Sequence, residues 1–164
     1  MTNTIRTIGF LCAAAMAPAA ANASTVGATM PVTAITVNAC AVSATPLVFG
    51  TLNQISGTPN DSQTTVVVTC TPGTTYDVGL DNGAHASGGV RNMAPTLGTQ
   101  RIPYLLYSNA SRSAAWGNTV GTNTVGGVAG VLPTTLTVYG RVAGGTTPVL
   151  ADVYTDAVTV TVTF

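Results

Sequence analysis

Residues 156–164 read Asp156-Ala157-Val158-Thr159-Val160-Thr161-Val162-Thr163-Phe164, and this stretch sets the fold class. Val158, Val160, Val162 and Phe164 share one face, and Ala157, Thr159, Thr161 and Thr163 share the other. A period of two belongs to a half-buried β-strand, because successive side chains on a strand point to opposite faces. The strand is expected to run to Phe164, with that aromatic held inside its sheet.

Upstream, the same alternation returns in short runs separated by Gly, Pro, Asn and Ser clusters, the pattern of an antiparallel sandwich or barrel. In residues 62–70, Val66, Val68 and Cys70 fall on one face and Thr65, Val67 and Thr69 on the other, so Cys70 is expected to point into the core. Tyr76, Val78 and Leu80 repeat the pattern, and Asp81-Asn82-Gly83 then supplies residues that tolerate positive φ in a hairpin turn. Residues 84–101 read as loop with one short strand around 90–93. Strand signals return at Ile102, Tyr104 and Leu106 and again at Leu136 and Val138. Residues 108–131 between them read as loop, anchored by Trp116-Gly117. No segment has a helical period.

The other end of the chain carries a second one-faced run. Val26, Ala28, Met30, Val32 and Ala34 alternate with Thr25, Gly27, Thr29, Pro31 and Thr33, after which Ile35, Val37 and Ala39 take up the apolar phase. Periodicity leaves two readings open: an ordinary first strand, or a detachable arm that pairs with another chain.

Composition narrows the function classes. The 164 residues suit one domain. They include neither Lys nor Glu, and five Arg balance five Asp, for a net charge of zero. Such a chain has no basic field for nucleic acid or anionic lipid and no acidic tract for cations. Arg6, the apolar stretch 8–16 and Ala21-Asn22-Ala23 read as a secretory signal cleaved before Ser24, and the apolar run is too short to span a bilayer. Cys12 would leave with it. The remaining pair, Cys40 and Cys70, is expected to form a disulfide in an oxidising compartment. A two-cysteine metal site lacks ligands, since His85 is the single His and there is no C-x-x-C. No cofactor is implied.

An enzyme reading must draw on Asp81, His85 and Ser87, but one polar turn rarely supplies the converging geometry of a Ser, His and Asp set. The chain is not expected to be an enzyme. Tyr104, Tyr107, Trp116 and Tyr139 are expected to serve packing rather than a sugar- or surface-binding patch.

Several residue groups, taken in order, resemble the archaic chaperone-usher pilin family, whose domain is also called the spore coat protein U domain. They are Cys40-Ala41-Val42-Ser43-Ala44-Thr45-Pro46-Leu47 with Phe49-Gly50, then Cys70, residues 76–80, Arg91-Asn92-Met93, and the run Ile102, Tyr104, Leu106 and Tyr107. Trp116-Gly117, residues 136–142 with Tyr139-Gly140-Arg141, and Tyr154-Thr155-Asp156 leading to Phe164 complete the set. The resemblance implies an incomplete immunoglobulin-like antiparallel β-sandwich, completed by a donor strand from another subunit. It divides the chain into a signal peptide at 1–23, a donor-strand arm at 24–37 and a pilin domain at 38–164. It implies that Val26, Ala28, Met30, Val32 and Ala34 plug a neighbour's groove, and that Val158, Val160, Val162 and Phe164 line the groove and meet a chaperone. The implied partners are a periplasmic pilus chaperone, an outer-membrane usher and further copies of the subunit in a homopolymer, with export through the periplasm to a surface pilus that supports attachment and biofilm formation. The alternative is a secreted spore-coat or matrix structural protein with the same domain. Two positions depart from the family pattern. Asp152 stands where Gly is usual, and Pro31 removes a ladder donor from the middle of the arm.

Overall fold

A computed structural model describes residues 24–53, 55–145 and 148–164. The leader, with Arg6, Cys12 and the Ala21-Asn22-Ala23 site, lies outside the described residues. The chain divides into two units after Ile35. In the first, residues 24–35 carry no assigned helix or strand, and Val26, Met30, Val32 and Ile35 are exposed.

The second unit, Thr36–Phe164, is an all-β, immunoglobulin-like sandwich of two antiparallel sheets, with no helix among its described residues. Its strands are β1 (Cys40–Ala44), β2 (Asn60–Cys70), β3 (Thr75–Leu80), β4 (Arg91–Pro95), β5 (Ile102–Tyr107), β6 (Val125–Val128), β7 (Thr134–Val142), β8 (Tyr154–Thr155) and β9 (Val160–Thr163). One sheet has the order β1-β2-β7-β5-β4-β8, the other β6-β3-β9.

The alternating residues build the core between the sheets. Val66, Val68 and Cys70 of β2, Tyr76, Val78 and Leu80 of β3, and Ile102, Tyr104 and Leu106 of β5 are all buried. Trp116, 1% exposed, closes the layer and donates its indole N–H to the Val78 carbonyl at 2.8 Å. Tyr104 and Trp116 thus pack as expected, while Tyr107 and Tyr139 are half-buried. Cys40 and Cys70 pair across β1 and β2 and are joined by a disulfide. The longest ladder, β2 with β7, runs from Asn60 opposite Val142 to Val68 opposite Thr134. On it Asp61 sits opposite Arg141, which donates two hydrogen bonds of 2.7 Å to its carboxylate. Arg112 adds a contact of 3.2 Å to Asp61 and lies 5.8 Å over the Tyr139 ring.

Four local expectations are corrected. Residues 108–131 are not all loop, since Val125–Val128 forms β6. Its Gly126-Gly127 pair hides the alternation but is required by packing: a Cβ on Gly127 would stand 2.8 Å from the Tyr76 hydroxyl oxygen. Second, Asp81-Asn82-Gly83 does turn the chain, with Gly83 at φ +80° and its N–H donating to Asp81 Oδ1 at 2.9 Å, but it closes no hairpin. β3 pairs with β6 and β9, whereas β4 belongs to the other sheet. Arg91 fills the space between, its guanidinium donating to the carbonyls of Asp81, Leu80 and Trp116 at 2.7, 2.7 and 2.9 Å.

Third, of the two readings left open for the N-terminal run, an ordinary first strand is not seen, since no strand is assigned on residues 24–39. Alternation selects a face, but a strand also needs a ladder partner for its backbone groups. Last, the terminal strand is shorter than its pattern. Residues 156–159 carry the chain from β8 in the larger sheet to β3 in the smaller one, so the assigned strand starts at Val160, and pairing ends with Asp77 opposite Thr163. Phe164 lies beyond that last pair and is 58% exposed, not inside the sheet.

Candidate functional site

The sandwich is open on one side. A groove of about 980 Å³ runs between residues 44–52 on one wall and 149–158 with Val160 on the other, over a floor of Val66, Leu80, Met93, Ile102, Tyr104 and Val138. That floor is the core itself.

The first wall is placed by polar ties to β2. The Thr45 N–H donates to the Thr65 carbonyl at 3.0 Å and the Ser62 hydroxyl to the Val48 carbonyl at 2.6 Å. Alternation then turns Leu47 and Phe49 inward over Gly140, where a Cβ would stand 2.6 Å from Leu47 Cδ2 and 2.9 Å from Phe49 Cζ. Phe49 meets Tyr104 edge-on with ring centroids 6.0 Å apart. Leu47, Phe49, Leu52, Val158, Val160 and Val162 pack against the core yet stay half-buried. Apolar side chains held at half burial leave transfer free energy unrealised, on the order of 25 cal/mol per Å² still in water.

The second wall carries an unpaired strand edge. β9 is the last strand of its sheet. Opposite it on β3, Leu80 sends its N–H to the Gly117 carbonyl at 2.8 Å, and the Val78 carbonyl accepts the Trp116 indole, so both residues bond away from β9. An antiparallel ladder alternates bonded and non-bonded pairs. Val160 and Val162, which face Leu80 and Val78, therefore turn their main-chain N–H and C=O away from β3, toward an edge on which no described strand is hydrogen-bonded, although β1 passes near β9 without pairing to it. Their side chains look into the core and their backbones are free to pair.

The groove also has a polar corner that the sequence reading missed. Asp156 accepts the Tyr104 hydroxyl at 2.6 Å and the His85 N–H at 3.1 Å, and its Oδ1 lies 3.0 Å from His85 Nδ1. Burial, followed by the hydrogen bond to Asp156, drives the Tyr104 phenol well above its ordinary value, so it stays a donor. Burial lowers the Arg91 guanidinium, opposed by Tyr104, Asp81 and Asp156. For Asp81, burial pushes upward, but hydrogen bonds from Thr159 and Gly83 and the charge of Arg91 outweigh it and hold the carboxyl below its usual range. His85 thus meets Asp156 rather than Asp81, while Ser87 is engaged through its backbone with Val90. These three residues do not converge as a nucleophile set. Among the described residues, no cluster of three or more His, Cys, Asp or Glu is placed to hold a metal.

The other sequence candidates fall as follows. Val158 and Val160 line the groove, Val162 packs against the core next to it on the same strand, and Phe164 lies beyond the last ladder pair. Val26, Ala28, Met30, Val32 and Ala34 belong to the separate first unit. Asp152 takes no positive φ and accepts the N–H groups of Leu97 and Val153 at 3.2 and 2.7 Å. Among the described non-glycine residues, Arg112 has the positive φ, at 54°.

No curated protein matches the chain. Among solved structures, it is similar to a chain of the CsuC–CsuE chaperone–tip adhesion subunit pre-assembly complex from archaic chaperone-usher Csu pili of Acinetobacter baumannii, with a TM-score of 0.58 and 23% identity. The match covers 78% of this chain and 40% of that one, and at this identity it speaks for the fold. The Spore Coat Protein U domain matches residues 26–161, nearly the whole described chain. The protein belongs to the Spore Coat Protein U domain family.

Proposed function

We propose that this chain is a structural subunit of a surface pilus assembled by the chaperone-usher route, its groove receiving a β-strand from another polypeptide. One observation carries the reading: an apolar groove opens onto the core beside β9, whose Val160 and Val162 present unpaired backbone along it. A strand laid there satisfies the ladder and covers the half-buried row at once, which is the physics of β-augmentation. In this reading residues 1–23 direct export, residues 24–37 are the arm, and residues 38–164 are the domain that receives an arm. Val26, Ala28, Met30, Val32 and Ala34 plug the groove of the next copy. Val158, Val160, Val162 and Phe164 meet a periplasmic chaperone first and a neighbouring subunit later, with an outer-membrane usher mediating the exchange. The product is a surface homopolymer that serves attachment and biofilm formation.

The deciding experiment changes the arm. Met30→Asp or Val32→Asp should leave the subunit folded with its chaperone and abolish SDS-resistant ladders in material sheared from cells, because a carboxylate buried in an apolar groove costs several kcal/mol. Loss of the subunit itself would mean that residues 26–34 serve their own domain and would overturn the reading. A second copy of residues 24–37 joined by a flexible linker after Phe164 should raise thermal stability. The description of the family favours one other reading, a secreted coat or matrix protein with the same domain. Sheared material without ladders or fibres under the electron microscope would select it.

A further inference from the structure

We propose that Asp156 is the positioning residue of the groove: it fixes where the chain crosses from one sheet to the other and thereby holds the free edge of β9 where an incoming strand meets it. The proposal rests on the groove reading above and adds the device that keeps an empty groove in shape.

The argument begins with burial. The Asp156 side chain is 3% exposed, and a carboxylate so placed is tolerated when its oxygens find donors. Both do, and the donors come from both sides of the sandwich. Tyr104 belongs to β5 of the larger sheet, and His85 to the connection leaving β3 of the smaller one. A single side chain therefore clasps the two layers at the crossing between β8 and β9. Gly83 lets the connection close down on it, since a Cβ there would stand 2.0 Å from Asp156 Oδ2 and the residue has φ +80°. Immediately downstream the carbonyls of Ala157 and Thr159 accept the N–H groups of Ala84 and Asp81 at 3.0 and 3.1 Å, which starts the ladder that β9 continues. Upstream, Leu150 and Val153 are exposed, while Tyr154 packs on the core and β8 pairs with β4, so the chain is held to the larger sheet as far as Thr155 and Asp156 is the first tie to the smaller one. The register of the free edge is thus set at Asp156, ahead of the first assigned residue of β9. Without the carboxylate, the Tyr104 hydroxyl and the His85 N–H lose their acceptor and the crossing is released.

The test uses the full oxidised chain and reads two quantities that general destabilisation moves differently. In Asp156→Ala, hydrogen exchange at the amides of Asp81, Ala84 and Thr161 should speed up by about tenfold or more, while those of Val66 and Val68 in β2 stay within about twofold. Tyr104→Phe and Asp156→Asn, which keep the shape, should move the same amides less. In all three, a synthetic peptide of residues 24–37 should associate more slowly, by about tenfold in Asp156→Ala, because the competent edge is populated less. Its dissociation rate should stay within about threefold once bound. Uniform acceleration of all amides, or an unchanged association rate with the crossing loosened, would overturn the proposal. A wild-type protein that takes up no peptide would sink the groove reading instead, and the exchange pattern would still decide whether Asp156 holds the edge.

Discussion

Residues 26–34 and residues 157–164 share a period-two pattern, an apolar row alternating with a second row that is mostly Thr but holds Gly27 and Pro31 in the first region, and they have different structures. In the second region Val160–Thr163 is a strand with β3 beside it, and its valines pack on the core. In the first no strand is assigned and Val26, Met30 and Val32 are exposed. Alternation specifies which side chains travel together. A neighbour with free N–H and C=O groups decides whether they become a strand.

The comparison is broken most forcefully at the point where the domain begins to be held. Replacing Cys40 and Cys70 together by Ser opens a loop of sequence separation 30, and on the chain-entropy estimate it should cost roughly 3 to 4 kcal/mol in urea denaturation. A loss below about 1 kcal/mol would mean that the β1–β2 ladder suffices alone. Next, the same substitution is placed in both regions. Val160→Asp should cost roughly 3 kcal/mol, since it puts a charge against the core, while Val32→Asp should leave stability within about 0.5 kcal/mol. Equal losses would erase the distinction. A finer version uses glycines. Gly140→Ala drives a methyl group into Leu47 and Phe49 and should cost about 1 to 2 kcal/mol while disturbing the groove wall, whereas Gly27→Ala meets nothing within 4 Å and should be neutral in a melting experiment.

The smallest effect is electrostatic. The hydrogen bond from Arg141, against a smaller burial penalty and with the charge of Arg112 nearby, holds Asp61 below its ordinary carboxyl value. The folded-state value is the depressed one, so the stabilisation is present above the unfolded value of 3.8 and disappears as pH falls through the folded one. The pair is solvent-exposed, so Asp61→Asn should cost under about 1 kcal/mol at neutral pH and nothing in acid. A cost that persists once the folded-state carboxyl is itself protonated would assign Asp61 a packing role rather than an ionic one.

Much of the sandwich was legible because its core is written in period two. Val66, Val68, Tyr76, Val78, Tyr104 and Leu106 announce their faces, and Trp116 announces an anchor. The elements that escaped lack such a signal. Val125–Val128 carries two glycines and so has almost no face to show, and the assigned part of the last strand was overestimated because residues 156–159 keep the alternation while crossing between sheets. The groove was implied by family resemblance and not by periodicity, which cannot tell an edge strand from a central one. The Asp156 corner lay beyond reach for another reason. Its partners are 52 and 71 residues away in sequence, and Tyr104 and His85 become its neighbours only when the sheets stack.

The handling of the arginines has a chemical consequence. The chain has no lysine, Arg91 is 6% exposed, and Arg112 and Arg141 are engaged with Asp61. Trypsin, which needs a pliable and accessible basic residue, is left among the described residues with Arg101, in the exposed link between β4 and β5. Amine-directed cross-linkers find no side chain at all. A nick after Arg101 would leave two pieces with no covalent tie, because Cys40 and Cys70 both lie before it. The pieces would stay together through the β2–β7 ladder and the pairings of β3 with β6 and β9 and of β4 with β5 and β8, and part in denaturant, so a digest run with and without urea reports on the combined strength of those seams.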